Sequence, residues 1–123
     1  GAGFPVPRRV VALKEFAELL GALAHPHRTR IIIELRAGEQ DVNALQDLLG
    51  ISHSGVSQNL SVLRAHHIVR ERREGRHVYY SLPRPALADW LIQGMEFLEA
   101  EYAHSEEVKG ALEAARDVWS RHE

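Results

Sequence analysis

The chain has 123 residues, no cysteine, 45% hydrophobic and 26% charged residues, and a formal net charge of −2. These values describe one compact domain, or one domain with a tail or a dimerisation arm; they exclude a disordered or fibrous chain, disulfide staples and thiolate metal sites. No apolar run approaches the roughly 20 residues of a membrane span, so a cytoplasmic protein without a membrane partner is expected. The opening Gly1-Ala2-Gly3, with no initiator Met, reads as an appended scar and is set aside.

Charge divides along the chain. Residues 1–84 hold 12 Lys/Arg against 8 Asp/Glu, whereas residues 85–123 hold 3 against 9. A basic first part beside an acidic last third is the pattern of a molecule with one face toward a polyanion and another toward solvent or a partner subunit.

Pro7 is suited to open a helix, and Val10, Leu13, Phe16, Ala17, Leu20, Leu23 and Ala24 then recur at helical spacing until Pro26. A second helix is predicted over 26–36, with Ile31, Ile32 and Leu35 buried and Gly38 closing it. Leu45, Leu48 and Leu49 form one stripe on a short third helix over 42–49, which Gly50 ends. Ser52 is a good N-cap for a fourth helix reaching about Ala65, with Val56, Leu60 and Leu63 inside.

The other side of that fourth helix carries His53, Ser54, Ser57, Gln58, Ser61 and Arg64. A solvated stripe is normally built from Glu, Lys and Ala, because Ser and Asn disfavour a helix interior. Short polar groups let a helix backbone approach a surface closely, and Gln58 and Asn59 have the two-pronged chemistry that pairs with an adenine edge in the major groove. Asn59 lies nearer the flank of this face.

Two β-favouring segments around Gly75 predict a hairpin over 69–82 with Glu74, Gly75 and Arg76 at its tip. It bears Arg70, Arg72, Arg73 and Arg76, cations suited to phosphates and to a neighbouring minor groove, with His77 beside them. The plain alternative is a charged edge ribbon partly paired with Glu71 and Glu74. The remainder is predicted helical, over 85–102 with Leu87, Leu91, Met95 and Leu98 on one stripe, and over 106–121 after a break near His104, one continuous helix being the alternative. The expected organisation is a tail at 1–9, a helix-turn-helix core with a wing at 10–84, and dimerisation helices at 85–123. The fold class is mainly α with a small β-hairpin.

The segments Ala22-Leu23-Ala24-His25-Pro26-His27-Arg28-Thr29-Arg30-Ile31, Gly50-Ile51-Ser52-His53-Ser54-Gly55-Val56-Ser57-Gln58-Asn59-Leu60 and Arg72-Arg73-Glu74-Gly75-Arg76-His77-Val78-Tyr79-Tyr80 resemble, in order and spacing, the blocks of the ArsR/SmtB family of winged helix-turn-helix repressors. The resemblance spans about residues 15–102. It implies a homodimer built largely from the first and fifth helices, a recognition helix at 52–65, a wing at 69–82, and an inverted-repeat DNA operator as partner. The expected DNA contacts are His53, Ser54, Ser57, Gln58, Asn59, Ser61, Arg64, Arg72, Arg73, Arg76 and His77. A second reading is a winged-helix protein-interaction module that has lost DNA contact.

Members of this family commonly release DNA on binding a metal. Where one site class has Cys-Val-Cys, this chain has Asp41 and Asn43; where another has a carboxylate and histidines, it has Arg84, Ala86, Phe97 and Ala100. Soft metals are therefore poor candidates. Among the eight histidines, His25 suits a structural role at a helix end, His66 and His67 suit the carbonyl end of the fourth helix, and His27 and His122 read as surface residues. Glu101 and His104, three apart on one helix face with Glu96 and Glu99 a turn earlier, are the candidate Zn or Ni ligands. Trp90, Phe97, Tyr102 and Trp119 are read as packing for a dimer core, or as the walls of a site for an organic effector. The effector itself is left open.

Overall fold

The computed structural model describes residues 7–120. Six helices and a three-stranded antiparallel sheet follow in the order α1 (Arg8–Leu23), α2 (Pro26–Leu35), β1 (Gln40–Asp41), α3 (Val42–Leu49), α4 (His53–Ala65), β2 (Arg70–Glu74), β3 (His77–Ser81), α5 (Ala86–Glu101) and α6 (Glu106–Ser120). The break after α5 falls where the sequence places it, with the Ser105 N–H bonded to the Tyr102 carbonyl.

Local chemistry explains the element ends. His25 Nδ1 accepts the His27 N–H at 3.2 Å and Pro26 occupies the first turn of α2. Asp41 caps α3 through Oδ1, which accepts the Asn43 N–H at 2.6 Å. Gly50 closes that helix at φ 65°, a left-handed conformation that costs glycine little. Ser52 Oγ then accepts the Gly55 N–H at 3.1 Å and starts α4. The three-residue interval from Gly50 to Ser52 thus holds a stop, a turn and a start.

The core sits where α2, α3 and α4 converge under the sheet and α5. Ile31, Ile32, Leu45, Val56, Leu60, Leu63 and Ala88 are fully enclosed, and Ile68, Val69, Tyr80 and Leu82 close it from the strands. Arg36 ties the C-terminal part to this unit: its guanidinium meets Asp89 Oδ1 of α5 at 2.6 Å and donates to the Trp119 carbonyl of α6 at 2.7 Å.

Four details differ from expectation. Helix α1 begins at Arg8, so residues 8 and 9 are helical rather than tail. The sheet order is β1-β3-β2, with Gln40 opposite Tyr80 and Asp41 opposite Tyr79, so the wing is supported by a third strand that the sequence reading lacked. Leu48 is exposed at the edge of α3, and only Leu45 and Leu49 of its stripe are buried. On α5 the buried residues are Ala88 and Ile92, while Leu87, Leu91 and Met95 are half-buried and Leu98 is exposed. Apolar side chains are left exposed on both helices: Val10, Leu13 and Phe16 of α1 and Trp90 and Phe97 of α5, with Phe16 and Trp90 ring centroids 6.2 Å apart. His122 lies outside the described residues.

Candidate nucleic-acid interface

Helix α4 buries one stripe and offers another. Val56, Leu60 and Leu63 anchor it in the core, and the opposite side leaves His53, Ser54, Gln58, Ser61 and Arg64 exposed, with Ser57 half-buried. The polar side therefore faces outward, as its residue types imply.

The wing meets this helix. A cleft of about 390 Å³ elsewhere belongs to α2, α3 and Trp119, but the cleft of about 270 Å³ between α4 and the sheet gathers His53 and Ser57 from the helix with Arg73, Arg76 and His77 from the ribbon. At the ribbon's tip Gly75 takes φ 61°, which turns the chain and leaves Arg76 exposed. His77 Nδ1 lies 2.9 Å from Asp41 Oδ2, so the same carboxylate that caps α3 also braces the wing. The Asn43 N–H, and after it His77, hold the Asp41 carboxyl below its usual range.

Glu71 is the residue whose importance the sequence reading missed. Its carboxylate, mostly shielded within the sheet face that meets α4, accepts from Tyr80 Oη at 2.9 Å and from Arg73 Nε at 3.0 Å, and it also pairs with the Arg64 guanidinium at the end of α4. Those donors, the tyrosine first, hold its pKa below the ordinary value. Burial, and then the neighbouring carboxylate, push the Tyr80 hydroxyl up. One anion thus orients one cation from the helix and one from the wing. The sequence offered Glu71 only as a partner for the ribbon's own arginines, together with Glu74; its pairing with Arg64 of α4 joins it to a second element.

Two expected contacts lie outside this cleft. Asn59 is buried, 8% exposed; its Nδ2 donates to the Gly55 carbonyl at 2.9 Å and its Oδ1 accepts from Arg28 Nη1 at 3.5 Å, so it belongs to the helix packing and not to the outer face. Arg72 lies on the ribbon face opposite Glu71 and Arg73, because adjacent strand residues point to opposite sides. There it is held by Glu39, with bonds of 3.1 and 2.6 Å, and by Glu74 at 2.5 Å, and it stacks 4.6 Å over the Tyr79 ring. These carboxylates raise the pKa of Arg72, and Arg72 in turn lowers that of Glu39.

The candidate metal ligands stand apart. Glu101 and His104 are exposed, while Glu96 and Glu99 meet Arg116 of α6 at 3.2 and 2.9 Å. Among the described residues no group of three or more His, Asp or Glu side chains is placed to hold a metal ion. Among them, too, no helix is long and apolar enough to cross a membrane.

A helix with a short polar face beside an arginine ribbon is the shape that fits B-DNA: the helix enters the major groove and the ribbon reaches the flanking backbone or minor groove. No protein-family model matches the chain. It is, however, 40% identical over 92 residues to the HTH-type transcriptional repressor SmtB of Mycobacterium tuberculosis, spanning 75% of this chain and 68% of that one. The crystal structure of the transcriptional repressor BigR from Xylella fastidiosa superposes with a TM-score of 0.63 at 33% identity, covering 76% of this chain and 96% of that one. The homodimeric winged helix-turn-helix DNA-binding domain Mb0332 of Mycobacterium bovis, described as a possible ArsR-family regulator, gives a TM-score of 0.63 at 27% identity over 81% of this chain and 91% of that one. With three sequence blocks, a winged helix-turn-helix fold and these relatives in agreement, the chain belongs to the ArsR/SmtB family of transcriptional repressors.

Proposed function

We propose that this chain represses transcription as a cytoplasmic homodimer bound to an inverted-repeat operator, each protomer laying α4 in a major groove. Ser54, Ser57, Gln58 and Ser61 read base edges, Gln58 through its two-pronged amide, with His53 at the helix start. Arg73 and Arg76 neutralise phosphates beside the groove, and Arg64 and His77 flank them. The observation that carries this reading is the cleft in which His53 and Ser57 of α4 face Arg73 and Arg76 of the wing.

The exposed apolar residues of α1 and α5 support the dimer, since a surface with Phe97 83% exposed and Leu13 65% exposed is covered in a soluble assembly. Two copies joined there present their recognition helices about one DNA turn, roughly 34 Å, apart. Release of DNA by an effector is part of the reading; these 123 residues hold no cysteine and so offer no thiolate to a soft metal.

The test is selection of duplexes from a randomised pool, followed by binding to the selected sequence at two salt concentrations. Recovery of an inverted repeat whose affinity falls as salt rises is expected. Absence of both selection and salt dependence rejects the reading in favour of a protein-interaction module.

A further inference from the structure

Arg28 of α2 lies outside the cleft, yet its guanidinium joins two other helices. Nε donates to the Ala22 carbonyl at 2.7 Å, in the last turn of α1, and Nη1 donates to Asn59 Oδ1 at 3.5 Å, inside α4. Among the described residues Arg28 forms no ion pair, so its charge is spent on these two oxygens. The Ala22 carbonyl is one of those a helix C-terminus leaves without an intrahelical partner, and a cation there also suits the negative end of the helix dipole. Asn59 is fixed from the other side by its own bond to the Gly55 carbonyl, one turn earlier in α4. The chain of contacts therefore runs from the end of α1, through one guanidinium, to the backbone of α4 between Gly55 and Asn59, beneath the turn that carries Ser54, Ser57 and Gln58.

We infer that Arg28 and Asn59 form a positioning pair that sets the angle of the recognition helix relative to α1, and so the spacing and rotational phase of the two half-sites the dimer accepts. This rests on the operator-binding reading above. Neither residue touches DNA. Because α1 belongs to the proposed dimer face and α4 to the reading face, a guanidinium bonded to both transmits the geometry of one to the other. A lysine at position 28 keeps the charge but has a single point of donation, and it cannot bridge two oxygens in fixed directions.

The experiment uses the whole chain and two families of duplex: the inverted repeat selected by the wild type from a randomised pool, and the same half-sites with one base pair added to or removed from the spacer. Each added pair turns one half-site by roughly 35° about the axis. Arg28→Lys, Asn59→Ala and the double variant are compared with the wild type. The expected result is that each single variant loses roughly tenfold in preference for the selected spacing, that the salt slope stays at the wild-type value, and that the double variant is no worse than the weaker single one. Loss of folded protein alone lowers binding to both duplex families equally and leaves the preference unchanged. Unchanged preference in both single variants overturns the inference, as do additive losses in the double variant. A wild type that selects no operator instead removes the function reading itself.

Discussion

The two kinds of arginine on the wing make opposite predictions about salt. Arg76 stands exposed at the tip, and among the described residues it makes no ion pair, whereas Arg72 is held between Glu39 and Glu74 on the far face. Replacing Arg76 with Ala removes one phosphate contact per protomer, two per dimer. Each neutralised phosphate contributes about 0.9 to the slope of log affinity against log salt, so the slope flattens by about 1.8. Between about 50 and about 200 mM salt, the wild type's advantage over Arg76→Ala then shrinks about tenfold. Arg72→Ala removes a cation already neutralised within the protein, and the slope stays near the wild-type value. Anisotropy titrations of a labelled selected duplex at four or more salt concentrations measure both. If Arg72→Ala flattens the slope as much as Arg76→Ala, or if Arg76→Ala leaves it untouched, the assignment of wing faces is wrong.

Further outcomes follow from the same geometry. Gln58→Ala relaxes base preference at one position of each half-site, by about 1–3 kcal/mol of discrimination, while the salt slope is kept; repeating the pool selection reads this directly. Glu71 is held below its ordinary value of 4.5, so its carboxylate stabilises the fold at neutral pH, and that contribution disappears as pH falls through the lowered value. Urea midpoints measured from about pH 6 down to about pH 3 therefore decline in the wild type and decline less in Glu71→Gln, which already lacks the charge. Leu60→Ala opens the centre of the core at a fully buried position and costs about 2–5 kcal/mol, seen as a shifted urea midpoint. Ser52→Ala removes the acceptor of the Gly55 N–H and costs about 1 kcal/mol, with α4 amides exchanging faster than those of α2.

Local chemistry made much of this molecule legible without coordinates. Proline at 26, glycine at 50 and serine at 52 place helix ends through backbone rules that need no neighbours. The period of Val56, Leu60 and Leu63 determines which side of α4 is inside, and therefore that Ser54, Gln58 and Ser61 are outside. The ribbon was equally clear, since valine and tyrosine around a central glycine favour strands at any site in a fold.

What tertiary structure alone decided are the choices at which two local answers are equally good. Asn59 stands on the boundary of the α4 stripe; it lies buried, with its amide oxygen accepting from Arg28, 31 positions earlier. Arg72 and Arg73 are chemically alike, and alternation says only that they point apart; the packing of the sheet on α4 determines that Arg73 shares the cleft with His53 while Arg72 turns to Glu39. The two residues of β1 are too short to show a period, and they become a strand because β3 offers them an unpaired edge. Each of these outcomes depends on a partner distant in sequence, and no window along the chain contains both halves of the contact.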